Sequence, residues 1–138
     1  MKKKFYTMTF FVSLLMVSTA IAGSNDVKTV TIEGRFAGAN CMFFNKICPD
    51  NMPDGHIAIE PDFVVVEPNG NYFYVLNIDR GLKTRYFHRD VRVTGILKDK
   101  TTMKADTLEV KKDGKYVQVW NWEDVLRERL SYINGPGI

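Results

Sequence analysis

Few reactive side chains occur in this sequence: two cysteines and two histidines among 138 residues. No C-x-x-C or H-x-x-x-H pair, H-E-x-x-H helix or G-x-S-x-G elbow is present, which removes the usual frames for zinc, metalloprotease and serine-hydrolase centres. A glycine-rich phosphate loop is also missing. Glu60 and Asp62 are candidate paired carboxylates, but they flank Pro61 and read as ordinary turn chemistry. No catalytic residue is assigned, no cofactor is implied, and the chain is not expected to be an enzyme.

Acidic side chains are missing from the N-terminal segment, where the first is Asp26. Lys2, Lys3 and Lys4 are followed by an uncharged apolar run from Phe5 to Ala22, closing on Ala20-Ile21-Ala22. That order predicts a signal peptide over residues 1–22, cleaved between Ala22 and Gly23. The alternative is a retained anchor, since the 18 uncharged residues just reach the length of a span. The five Ser and Thr hydroxyls in the run and its small-residue end favour cleavage. No cysteine stands at the cleavage point for a lipid anchor. A short basic region with this ending looks bacterial, so the expected destination is the periplasm or the medium. That compartment is oxidising, and its lack of ATP argues against kinases.

With the leader's three lysines set aside, the 19 basic residues fall to 16 and match the 16 acidic ones. The pI near 8.8 is therefore a property of the leader. Without a persistent cationic face to displace counterions, nucleic acid is not an expected partner. No second apolar stretch approaches the length of a membrane span, so none is expected after cleavage. An apolar fraction of 45% and a charged fraction of 25% are those of an ordinary globular chain. Residues 23–138 have the size of one domain.

Along that domain, Val27–Phe36 alternates as a half-buried strand, with Val30, Ile32 and Phe36 on one face and Gly34 marking a bend. Gly38 to Gly55 reads as a long irregular loop, and His56–Glu60 as a short strand. Phe63–Glu67 and Tyr72–Ile78 face each other across Pro68-Asn69-Gly70-Asn71, a hairpin apolar at nearly every position. Both of its faces are expected to be covered. Asp79–Arg89 is one or two helical turns or an ordered loop. Val91–Lys98 alternates again with a second bend at Gly95. Leu108–Lys111 and Tyr116–Trp120 flank a tight turn at Asp113-Gly114.

The last element is a helix over 121–134, capped by Asn121 and stopped by Gly135-Pro136. Trp122, Val125, Leu126, Leu130 and Ile133 form its apolar stripe. The expectation is that this stripe packs on the apolar hairpin.

The whole is a mainly β fold, a small curved antiparallel barrel with one C-terminal helix. On the strand VTIEGRF, the hairpin FVVVEPNGNYFYVL, and the pair VRVTGILK and LEVKK, the chain resembles small exported bacterial OB-fold-like proteins over about residues 27–111. The resemblance implies an OB-like barrel and a binding role. Such barrels take oligonucleotides, oligosaccharides, proteins or metals, so no ligand is fixed.

Cys41 and Cys48, seven positions apart in a loop of an exported chain, are expected to form a disulfide. Closing the loop would add about 2.5 kcal/mol in the chain-entropy account. The alternative is a copper-like metal site built on Cys41, Cys48 and His56, with Met42 and Met52 adding soft sulfur. A second candidate is the segment holding Arg80, Lys83, Arg85, Tyr86 and His88, which either takes an anion or is a solvated connection. Tyr72, Phe73, Tyr74, Trp120 and Trp122 read as core in preference to a stacking platform. The leading expectation is a non-enzymatic exported binding module whose partner is an envelope protein or a small anion. Its alternatives are a periplasmic metal-binding protein using the Cys41–His56 loop and an accessory subunit of an envelope complex.

Overall fold

Ile32 and Phe36 point into the core while Thr31, Glu33 and Arg35 face out, so the first strand follows its alternating sequence. The computed structural model describes residues 28–44, 48–49, 51–133 and 135. The expected signal peptide lies outside them. Strand β1 (Thr29–Gly38) leads through α1 (Ala39–Phe43) and α2 (Asp54–Ile59) into the hairpin of β2 (Phe63–Val66) and β3 (Tyr72–Val75). Then follow α3 (Arg80–Arg85), β4 (Asp90–Leu97), β5 (Thr102–Lys112), β6 (Lys115–Asn121) and α4 (Trp122–Ile133).

The strand order is β3-β2-β1-β4-β5-β6, and a parallel pairing of β3 with β5 closes the first five into an OB-like barrel. The other pairings between these strands are antiparallel. One strand serves two neighbours here. The N-terminal part of β1 pairs with β4, and its last four residues pair with β2. The change of partner falls beside Gly34, where a Cβ would stand 2.2 Å from the Val66 carbonyl oxygen. Only glycine permits that approach. Gly95 marks the second bend. The β4–β5 register slips between Thr94 and Gly95, so that Thr94 faces Thr107 while Gly95 faces Ala105. That two-against-one count is a bulge, and bulges turn sheets into barrels.

Closure depends on one side chain as well as on backbone. β3 ends at Val75, earlier than the sequence pattern indicated. Beyond it, Asn77 Nδ2 donates to the Ala105 carbonyl and Asn77 Oδ1 accepts from the Ala105 N–H, both at 2.7 Å. The amide thus copies a strand residue and continues the β3–β5 seam. The second hairpin turns at Asp113 (φ 49°) and Gly114 (φ 77°), the paired positive angles of a two-residue primed turn.

The core fills the barrel with Phe36, Phe63, Val93, Met103, Leu108 and their neighbours. Val64 lies outside that cluster and is equally buried, so β2 is covered on both faces as expected.

Three local expectations are corrected. Gly38 to Gly55 is not all irregular loop: Gly38 ends β1, residues 39–43 form α1, and Asp54 opens α2. His56–Glu60 is not a strand: residues 54–59 form α2. Five alternating residues were too few to decide the period. Pro53 starts the turn by accepting from the His56 and Ile57 N–H groups, and the Arg80 guanidinium collects the Ile57, Ala58 and Glu60 carbonyls at its end. Nor does α4 pack its stripe on the β2–β3 hairpin. It adjoins β5 and β6, with Leu126 40%, Leu130 54% and Ile133 77% exposed. Asn121 both ends β6 and caps α4, its Oδ1 accepting from the Glu123 N–H at 2.7 Å. No linker exists to carry the helix across the barrel. Among the described residues no helix is long and apolar enough to cross a membrane.

Candidate functional site

The site region begins where β1 runs into α1. Cys41, on α1, is disulfide-bonded to the buried Cys48, with the two Cα atoms 5.6 Å apart. Such a bond fits an oxidising compartment. The Gly38 N–H points at Cys48 Sγ from 3.3 Å. Under this pair lies Glu60, only 5% exposed. Its Oε2 accepts from the Asn40 N–H at 2.9 Å, and its Oε1 stands 3.7 Å from Cys41 Sγ. A Cβ on Gly38 would lie 2.5 Å from the Glu60 carboxyl carbon, so glycine at 38 is what lets the carboxylate in. Cys41, Cys48 and Glu60 bring their donor atoms within 4.8 Å of one another. His56, the imidazole of the alternative ligand set, sits on exposed α2 and is not in this group. As a disulfide the sulfurs are not thiolates, which are the metal-binding form. Glu60 was visible in the sequence only as a turn residue, because nothing local to it signals burial.

Beside the cystine, a cleft of about 610 Å³ opens along β1. Its apolar wall includes Phe36, Ala37, Met42, Val66 and Pro68, and its polar edge includes Glu33, Arg35, Glu67, His88, Asp90 and Tyr116. A second, more polar cleft of about 550 Å³ adjoins it. The two share Arg35, His88 and Asp90, and the second adds Arg89, Lys111, Lys112 and Asp113. The combined trench is therefore apolar at one end and rich in cations at the other.

His88 sits at the junction with φ 58°, a left-handed backbone that histidine adopts more readily than most residues. This geometry aims its N–H at the Phe36 carbonyl, 3.1 Å away. Its Nε2 lies 2.9 Å from the Pro49 carbonyl, and its ring leans on Phe87 at 3.8 Å. His88 thereby ties the segment after Cys48 to β1. Arg35 donates to Asp90 at 2.8 Å.

At the trench edge, the Arg92 guanidinium lies 3.9 Å from the Tyr116 ring centroid and donates to Glu33 Oε1 at 2.8 Å. The Tyr116 hydroxyl donates to Glu33 Oε2 at 3.4 Å. Burial, then the Glu33 charge, pushes the Tyr116 hydroxyl above its usual range.

Of the five residues assigned to an anion-binding segment, His88 alone lines the trench. Arg80 holds backbone carbonyls at the end of α2, and Lys83 is buried against Asp62. Tyr86 packs against the core and Arg85 is exposed. The cationic residues of the trench come from β1, β5 and the turn before β4, and closure of the barrel brings them together. Phe73 and Trp120 pack on the core, while Tyr72 and Tyr74 meet edge to face at 6.1 Å. Compared with family models, curated proteins and solved structures, the chain matches none.

Proposed function

We propose that this protein is an exported binding module without catalysis of its own, whose OB-like barrel takes a small anionic ligand with an apolar body. One observation carries the reading: the trench along β1 joins an apolar cleft to a cationic one through Arg35, His88 and Asp90. Ligand pockets are typically of this size, mostly apolar with a few polar groups that fix orientation. The export reading is supported by the Lys2–Lys4, apolar and Ala-Ile-Ala order, and by a cystine that fits an oxidising compartment.

Octanoate is a suitable first probe, having a carboxylate head and an apolar tail. Amide shifts on titration should concentrate at Arg35, Ala37, His88 and Lys111. Ala37→Trp, which fills the apolar cleft, should abolish them. Shifts scattered over the surface, or unchanged in Ala37→Trp, would overturn the reading. A second reading, an accessory subunit of an envelope complex, is favoured by the exposed apolar stripe on α4.

A further inference from the structure

Glu60 presents an electrostatic problem that the disulfide does not solve. Its carboxylate is buried, and one of its oxygens accepts from the Asn40 N–H. The other oxygen has Cys41 Sγ, at 3.7 Å, as its polar neighbour among the described residues. A sulfur in a disulfide carries no proton and cannot donate. Burying a carboxylate oxygen without a donor or a cation is costly, so the cluster is better satisfied in another state.

We infer that the dithiol form of this protein binds a zinc-like divalent ion between Cys41 Sγ, Cys48 Sγ and a carboxylate oxygen of Glu60. Two thiolates and a carboxylate are a zinc ligand set, with Zn–S near 2.3 Å and Zn–O near 2.1 Å. Those lengths require donor atoms about 3.5–3.8 Å apart around a tetrahedral ion. The three donors already lie within 4.8 Å of one another, and the cysteine Cα atoms are 5.6 Å apart. Side-chain torsions therefore suffice and the backbone stays. The Gly38 N–H at 3.3 Å from Cys48 Sγ favours a thiolate there. Half-exposed Cys41 gives a reductant access.

The chemistry balances with a thiol reductant. Two thiols reduce the Cys41–Cys48 bond, leaving two cysteine thiols and one external disulfide. The ion then displaces two thiol protons to solvent and neutralises two of the three negative charges it meets. The disulfide thus acts as the closed state of a metal site, and the ion provides a cation that the described residues do not place on the Glu60 carboxylate. Cys48 also lines the apolar cleft, so the ion site borders the trench.

The test uses the full mature chain, reduced with a phosphine that becomes its oxide and then removed anaerobically, and titrated with Co²⁺. The expected result is one Co²⁺ per chain, with thiolate charge-transfer and tetrahedral ligand-field bands, displaced by Zn²⁺. The oxidised protein should bind none. Glu60→Gln should weaken binding at least about tenfold, the lower end of what lost ligand support costs, while His56→Ala should leave it unchanged. If Glu60→Gln fails to fold, Cys41→Ser carries the test, since it keeps Glu60 and must lose the same affinity. The inference is overturned by a reduced protein that retains no ion, including one that only exchanges thiols. It is equally overturned by a Glu60→Gln variant that binds as well as the parent, or by loss of binding in His56→Ala.

Discussion

Lys83 Nζ stands 2.8 Å from both carboxylate oxygens of Asp62, yet the two partners are buried to very different degrees. The lysine side chain is 2% exposed and the aspartate 36%. The pair joins α3 to the entry of β2, where Asp62 Oδ1 also accepts from the Phe63 N–H at 2.8 Å.

This asymmetry predicts unequal costs of deletion. Asp62→Ala leaves an ammonium buried without a partner and should cost about 3–5 kcal/mol. Lys83→Met fills the same space and leaves a carboxylate that water can reach, so its cost should stay below about 1.5 kcal/mol. Urea unfolding of both variants checks this, and equal losses would show that the pair is not what holds α3 against β2.

Gly34→Ala should destabilise by at least about 1–3 kcal/mol, the usual cost of overpacking. The contact is with backbone, the Val66 carbonyl at 2.2 Å from the added Cβ, and cannot move without opening β1 from β2. Gly55→Ala is the control, since nothing lies within 4 Å of its Cβ. Being on α2, it should not destabilise, and should gain up to about 1 kcal/mol from the helix preference for alanine. Thermal unfolding of the two variants in parallel decides the matter.

On α4, Leu130→Ala should change stability by less than about 0.5 kcal/mol, as exposed substitutions usually do. Trp122→Ala should cost more. Its ring sits 6.3 Å from that of Trp120 and 4.9 Å from Lys104 Nζ, so it anchors the first turn to the sheet. A large loss at Leu130 in a dilute monomer would mean that the helix packs elsewhere in solution.

Tyr116 predicts a pH dependence. Its hydroxyl is raised above the free value of 10.0, first by burial and then by Glu33. The folded chain keeps the phenol proton at pH values where the unfolded chain loses it. The associated stability is fully present below about pH 10 and is lost as pH rises through the raised value. Wild type measured against Tyr116→Phe should show a constant difference below that point and a falling one above it. Parallel curves throughout would contradict the assignment.

Strands were legible where alternation ran long enough. Val30, Ile32 and Phe36 declared their face, Gly34 and Gly95 marked both bends, and Asp113-Gly114 located the second turn. The disulfide was legible from two cysteines seven positions apart in a segment rich in turn formers. These features depend on neighbours a few positions apart, and local sterics or chain closure set them. His56–Glu60 was misread because its helix depends on Arg80, more than 20 positions away.

What the sequence by itself determined, then, is the class of barrel, its bends and turns, and the covalent staple. Tertiary structure completed the candidate sites, adding Glu60 to Cys41 and Cys48 and gathering the trench around His88. Glu60 meets Cys41 because β1 and α1 fold back over the approach to β2, and only in that enclosure does a turn carboxylate become a buried one. The cationic end of the trench likewise draws Arg35 from β1, Arg89 from the turn before β4, and Lys111 and Lys112 from β5. Their charges are balanced along the chain, and their convergence depends on which strands the closed sheet makes neighbours. The direction of α4 also had to wait for the fold. Its stripe is a property of the sequence, but whether a stripe finds a surface depends on where the preceding strand ends, and β6 ends at its first turn.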